Sequence, residues 1–251
     1  MRQPLRLIHS SDIHLDPYVG GDSDHWEERR ELFRETFLRV LAATQEHQAD
    51  ALLIVGDVFD SSRVRPETVE WFLEQVASVA PTPVIAINGN HDTLGERSIY
   101  ERHDLQGVDN LHFILERDGR VLHLEELDLV VWGRGYDESD WHFRPLQGLP
   151  PRQHDAWHVA MAHGHFVRSE ADAHRSMLIE AEEINGSEWD YVALGHWEPH
   201  ADVTSGDVPA VYSGAPMPIS DANTRAGWVL VVDLDPELGV RWRRENVDPR
   251  R

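Results

Sequence analysis

Five short segments place metal-capable side chains directly after apolar runs. They are Ser11-Asp12-Ile13-His14, Gly56-Asp57-Val58-Phe59-Asp60, Gly89-Asn90-His91-Asp92, Ala162-His163-Gly164-His165 and Gly195-His196-Trp197-Glu198. Each alone has an ordinary explanation. Asp12 and His14 read as loop polarity, Gly56-Asp57 and Gly89-Asn90 as turns, Asp60 as a cap, and His163, His165 or His196 as a buried imidazole bonded to backbone. Five in one chain, each after an apolar run, point instead to one shared metal site. Carboxylate, imidazole and amide donors are hard to borderline ligands and suit Mn, Fe, Mg or His-rich Zn.

For five loops to meet, the runs before them must be strands whose carboxyl ends open on one crevice. Leu5–Ser10, Ala51–Val55 and Pro83–Ile87 read as buried strands with helical patterns between them. One helix runs from Asp24 to about Gln48, with Leu32, Phe33, Phe37, Val40 and Leu41 on one face. Asp24 and Glu27 have capping-box spacing at its start. A second helix starts near Pro66, where a missing N–H costs nothing, and buries Val69, Phe72, Leu73 and Val76. The order β-α-β-α-β predicts a parallel sheet with right-handed crossovers. Beyond Asn110 the pattern changes to short strands: Leu111–Leu115, Arg120–Leu124 and Leu127–Trp132, with Asp118-Gly119 as a hairpin turn. His158–Ala162, Tyr191–Leu194, Ala210–Tyr212, Trp228–Leu234 and Val240–Glu245 continue it, with a helix over His174–Glu183. A second sheet packed on the first is expected, within a single domain over residues 1–251.

Composition narrows the function classes. The 251 residues suffice for a full core without disulfides, and there is no cysteine, which excludes thiolate metal sites and cysteine nucleophiles. All 23 basic residues are arginine, and 45 acidic residues bring the net charge to −22. Such a surface repels polyanions, so a DNA substrate would need a local arginine patch, metal ions or a basic partner. No run approaches the roughly 20 apolar residues of a membrane span, and the N-terminus reads as a strand rather than a secretion signal, so a cytoplasmic location is expected. Neither a P-loop nor the G-x-G-x-x-G fingerprint is present, which leaves nucleotide-driven and hydride-transfer readings without support.

In their order and spacing the motifs resemble those of the calcineurin-like metallophosphoesterase family: D-x-H, G-D-x-x-D, G-N-H-D, a strand-end histidine and a late G-H-x-H-like segment. Ser10 to Leu15, Tyr191 to His196 and Tyr212 to Pro216 look most like the SbcD-type DNA repair exonucleases. The resemblance implies an α/β fold, a four-layer α/β-β/α sandwich of two mixed sheets flanked by helices. It also implies two divalent ions, manganese first, with iron, magnesium or zinc as alternatives. Asp12 and His14 would bind the first ion, Asp57 would bridge both, and Asn90, His163 and His196 would complete the second. His91 would stand at the leaving group, and Asp60 and Asp92 would hold loops and orient imidazoles. The family carries histidine where this chain has Glu198, so the first ion would be completed by Glu198 or by His200. Trp197 would wall the site or stack on a base. Arg168 reads as a loop charge, with a substrate phosphate contact as the alternative.

Phosphodiesters repel hydroxide, and two ions about 3.5–4 Å apart can clamp the phosphoryl oxygens and supply a nucleophile near neutral pH. Asp12 and Asp57 would bring the negative charge, and His14, Asn90, His163 and His196 neutral donors. A histidine at the leaving oxygen, His91, is worth about 10²–10⁴-fold. The leading expectation is an SbcD-like nuclease, with any ATPase partner on a separate chain because little sequence follows the second sheet. A small-molecule phosphodiesterase or phosphomonoesterase acting on nucleotides is the second. A scaffold that lost its chemistry, suggested only by Glu198, is the third.

Overall fold

A computed structural model describes residues 2–17, 23–105, 107–153, 155–169, 172, 174–219 and 224–251, without the side chains of 23–25. The elements are β1 Leu5–Ser10, α1 Ser23–Glu46, β2 Ala51–Val55, α2 Pro66–Ala77, β3 Val84–Ile87, α3 Ile99–Arg102, β4 Leu111–Ile114, β5 Arg120–Leu124, β6 Leu129–Gly133, β7 Trp157–His163, β8 His165–Phe166, β9 Leu178–Ile179, α4 Ala181–Asn185, β10 Tyr191–Gly195, β11 Ala201–Asp202, β12 Ala210–Tyr212, β13 Trp228–Asp235 and β14 Gly239–Asn246. The expected Asp24 cap involves a side chain outside the described residues.

Two six-stranded mixed sheets form the body. The first has the order β14-β13-β1-β2-β3-β4, with β1 to β4 parallel and the β13-β14 hairpin antiparallel against β1. The second has the order β11-β12-β10-β7-β6-β5, with β6, β7, β10 and β12 parallel and antiparallel strands at both edges. Alternation along the strands sets the layers. Ile8, Leu52, Ile54, Val84 and Ala86 pack under Phe37, Val40, Val69 and Phe72 of α1 and α2. Leu7, Leu53, Val55, Ile85 and Ile87 face Val131, Val159, Met161 and Ala193 of the other sheet. The far side of the second sheet buries Trp132, Ala160, Val192 and Leu194 beneath Leu146, Phe166 and Ile184. Strands with both faces covered read as continuous apolar runs, and each buried Phe or Leu contributes about 1.5–3 kcal/mol. This is the expected four-layer arrangement, with α1 and α2 on one outer face and the short α4 with connecting loops on the other.

Three local expectations are corrected. Asp118-Gly119 does turn the chain, with Gly119 at φ +81° and its N–H donating to the Glu116 carbonyl. However, β4 and β5 do not pair: the turn carries the chain from the first sheet to the second. The helix expected over His174–Glu183 is instead the strand β9, paired parallel with β8, followed by five residues of helix. A capping box between Glu180 and Glu183 delays the helix start to Ala181. Finally, β13 and β14 return to the first sheet rather than extending the second.

Candidate metal centre

The parallel strands β1, β2, β3, β7 and β10 deliver their carboxyl ends to one edge of the sandwich, and all five motifs lie there. The loops after β1 and β2 run together: the N–H groups of Asp12, His14 and Leu15 donate to the carbonyls of Gly56, Asp57 and Val58 at 2.9–3.0 Å. The two sheets are tied at the site by His163, whose Nδ1–H donates to the Val55 carbonyl at 2.9 Å. That bond fixes the ring so that Nε2 faces inward, 3.2 Å from Asp57 Oδ2 and 3.2 Å from Asn90 Oδ1. His196 presents Nδ1 to the same Asn90 oxygen at 2.9 Å, while its backbone N–H donates to Asp12 Oδ2 at 3.0 Å.

On the other side of Asp57, His14 Nε2 lies 3.9 Å from Oδ2 and His14 Nδ1 3.2 Å from Asp60 Oδ1. His91 packs edge-on against His14 at 4.6 Å. Its N–H donates to Asp57 Oδ1 at 2.8 Å and its Nδ1–H to the Asp60 carbonyl at 2.9 Å, which leaves Nε2 toward the open side. His91 is the most exposed of these residues; Asp12, His14, Asp57 and His163 are buried.

Among the described residues two triads bring their ligand atoms within 4.8 Å of one another: His14 with Asp57 and His91, and Asp12 with Asp57 and His163. Asp57 belongs to both. The motif-by-motif expectation pairs Asp12 with His14, whereas the structure groups Asp12 with His163. Donors about 2.1 Å from one ion stand about 3 Å apart at right angles and about 4.2 Å apart when opposed. The 3.2 Å and 3.9 Å separations from Asp57 Oδ2 fall in that range, so the donor set fits two divalent ions on one carboxylate. Glu198 and His200 join neither triad. His200 turns its Nδ1–H to the Tyr212 carbonyl at 2.8 Å.

Protonation fits the same picture. Burial opposes charge on His163, yet the Asp57 carboxylate overrides it and raises its pKa to about 9. The extra proton thus sits on Nε2, between Asp57 and Asn90, where a cation would stand. Burial would raise Asp57, but His163 and His14 hold it well below the usual carboxylate range. Burial raises Asp12 despite His163 nearby, while burial, then the His163 charge, lowers His196 to about 3.

Asp92 faces away from the cluster. Fully buried, it accepts hydrogen bonds from the N–H groups of Gly89 (2.7 Å), Val58 (2.9 Å) and Phe59 (3.3 Å) and from Tyr100 Oη (2.9 Å). It therefore knots the loop after β3 to the loop after β2. Burial and then Asp57 lift its pKa to about 6. His165 is a strut: Nδ1 accepts the Trp197 indole N–H at 3.0 Å and Nε2 lies 3.4 Å from Asp172 Oδ1. Tyr100, Asn88 and Tyr212 are site supports that sequence reasoning missed. Asn88 bonds both the Tyr136 N–H and carbonyl, fastening the loop after β3 to residues 136–138. Its place between Ile87 and Gly89, inside an Asn-Gly-Asn run, was the available signal.

Four site residues carry a strain invisible to pattern reading: Asp12, His14 and Asp57 have φ of 51–54° and His196 has φ 102°. Non-glycine residues pay about 1 kcal/mol or more there, and such outliers gather at functional sites. The glycines beside them leave no room for a side chain. A Cβ at Gly195 would lie 2.9 Å from His163 Nδ1, and one at Gly56 2.9 Å from His163 Cβ.

The sequence model described as calcineurin-like phosphoesterase matches residues 5–198. The DNA double-strand break repair protein Mre11 of Methanopyrus kandleri is 25% identical over 255 residues, covering 90% of this chain and 54% of that protein. The SbcD subunit of the nuclease SbcCD of Escherichia coli K12 is 25% identical over 254 residues, covering 86% of this chain and 61% of that protein. The chain thus spans little more than half the length of these relatives. Among solved structures, TT1561 of Thermus thermophilus superposes with a TM-score of 0.62 at 12% identity, over 98% of this chain and 100% of that one, a likeness of fold.

Proposed function

Because the chain belongs to the calcineurin-like phosphoesterase family, we propose that it is a two-metal phosphodiesterase acting on nucleic acid, of the SbcD-like nuclease type. The observation that carries the metal-dependent reading is the sharing of Asp57 between two ligand triads. In this reading both ions would share Asp57; His14 would serve the first, with Glu198 completing it although it joins neither triad, and Asp12, Asn90, His163 and His196 would serve the second. When bound, the two ions supply Lewis acidity on the phosphate and a nucleophile near neutral pH. Ligands of carboxylate, amide and imidazole type, with no thiolate, favour manganese, with iron, magnesium and zinc as alternatives.

The protein's own groups do the rest. His163, held by Val55, keeps one tautomer and one ring orientation. Asp60 orients both His14 and His91, the first through its carboxylate and the second through its carbonyl. With Nδ1–H held by the Asp60 carbonyl, His91 Nε2 faces the open side, where as the imidazolium it would give a proton to the leaving oxygen. Asp92 holds the loop that carries Asn90 and His91 without touching substrate.

Nucleic acid as substrate is supported by the relatives, named as a DNA repair protein and a nuclease. The second of these is named as one subunit of a larger nuclease, which also supports a separate partner chain, in our reading an ATPase. A small phosphodiester is the second reading, favoured by the net charge of −22. Among the described residues no helix is long and apolar enough to cross a membrane. The test is digestion of single-stranded and linear duplex DNA with manganese, beside His91→Ala and a panel of nucleotide esters. Metal-dependent digestion lost in the variant is expected; preference for every small ester over DNA would overturn the nuclease reading.

A further inference from the structure

Both faces of Trp197 are covered. Tyr212 stacks on one at 4.3 Å with the rings 9° from parallel. The Arg168 guanidinium carbon lies over the indole at 4.3 Å from its centroid, which requires the opposite face. With both faces covered, Trp197 offers none to a base. Its stack is anchored at each layer. Tyr212 Oη donates to the Gly164 carbonyl and accepts the Phe166 N–H, both at 2.8 Å, and the indole N–H donates to His165.

Arg168 is the outer layer of this stack. Asp172 lies close to it, yet its carboxylate takes the backbone N–H groups of Arg168 and Ser169 at 3.0 and 3.2 Å and leaves the guanidinium alone. In a chain with 45 acidic residues, many arginines are paired: Arg65 with Asp16, Arg144 with Glu183, Arg152 with Asp190. Among the described residues the Arg168 guanidinium makes neither an ion pair nor a hydrogen bond; its contact is the indole face. A stacked guanidinium keeps its N–H donors in plane and available, in a fork that matches a phosphate. The residue beneath it adjoins His196, and the His165 ring that braces it is 6.3 Å from the His196 ring.

We infer that Arg168, held on the Trp197–Tyr212 stack, grips a phosphate next to the scissile ester and so selects substrates that carry a second phosphate, a nucleic-acid strand above all. This rests on the reading of the site as a phosphodiesterase. It also gives an acidic protein the local cation that a polyanionic substrate needs.

The test measures binding of a fluorescent single-stranded oligodeoxynucleotide with manganese present, in a His91→Ala background so that the strand is not consumed. Adding Arg168→Ala should weaken binding about tenfold and make the dependence of log affinity on log salt shallower by about 0.7. Arg168→Lys should restore the slope, since it restores the charge, which loss of a merely structural contact would not do. Thermal melts of each variant report on the fold. A nucleoside diphosphate serves as competitor: if it alone loses affinity, the second phosphate belongs to a nucleotide and the choice of nucleic acid is overturned. If neither ligand loses affinity and the slope is unchanged, the assignment of Arg168 is overturned. Binding is read without turnover, so that result is separate from failure of the phosphodiesterase reading, which hydrolysis of bis-para-nitrophenyl phosphate decides.

Discussion

Gly89→Ala tests the positioning of the shared carboxylate with a single methyl group. The φ of Gly89 is not in the left-handed region, so an alanine there meets no backbone penalty of its own. Its Cβ, however, would lie 2.8 Å from Asp57 Cγ and 2.8 Å from the Asp57 backbone nitrogen, with Oδ1 nearer still. Ordinary contact begins at 3.4 Å, so the carboxyl carbon must retreat by about 0.6 Å and the nearer Oδ1 by about 1.2 Å. Rotating the side chain alone does not clear the clash, because the backbone nitrogen is equally close. The loops after β2 and β3 must separate, and Asp57 Oδ1 then loses the His91 N–H. Overpacking of this kind costs about 1–3 kcal/mol of stability, and a misplacement of about 1 Å at a reacting centre costs on the order of 10²-fold in rate. The assay is calorimetric titration with manganese beside hydrolysis of bis-para-nitrophenyl phosphate. A folded variant with weakened metal binding and roughly 10²-fold lower kcat/KM is expected. Full metal affinity with undiminished turnover would refute the claim that Asp57 must stand where the structure puts it.

Further outcomes follow from other residues. His163 has a pKa of about 9 without metal, so at pH 7 it holds a proton that an ion must displace. Metal uptake should release about one proton or more, and affinity should rise with pH toward 9, as read by calorimetry in buffers of different ionisation enthalpy. His91→Ala should lower kcat by about 10²-fold or more while the variant stays folded. Asp92→Ala leaves four donors without their acceptor and should destabilise by about 3 kcal/mol, measured by urea unfolding. Burial lowers buried His9 to about 3, so below the unfolded value of 6.5 the unfolded chain takes up a proton that the native state refuses. Stability is then lost as pH falls, by about 1.5 kcal/mol from this group between pH 6.5 and 5, and His9→Gln should remove that dependence.

The parallel core was legible because its strands are covered on both faces and so read as largely apolar runs, each followed by a turn with metal-capable side chains. The meeting of Asp12, Asp57, Asn90, His163 and His196 followed from strand ends alone. What escaped the sequence was long-range pairing. Asp118-Gly119 has the chemistry of a hairpin turn, but a turn does not say which sheet the next strand joins. The register of β13 against β1 likewise depends on partners more than two hundred residues apart. Residues 174–183 carry helical spacing, yet Leu178 and Ile179 gain more by pairing with β8 under Tyr212. The positive φ values of Asp12, His14, Asp57 and His196 leave no compositional trace, because the strain is held by tertiary hydrogen bonds. Arg168 looked like a loop charge because a stack with Trp197 is formed only by the fold.

The most direct test of the central claim, two ions joined through one carboxylate, is electron paramagnetic resonance of the protein titrated with manganese. Two ions per chain are expected, with the exchange-coupled signal of a bridged pair, and that coupling should be lost in Asp57→Ala. One ion per chain, or two that titrate as isolated centres in the wild type, would contradict it.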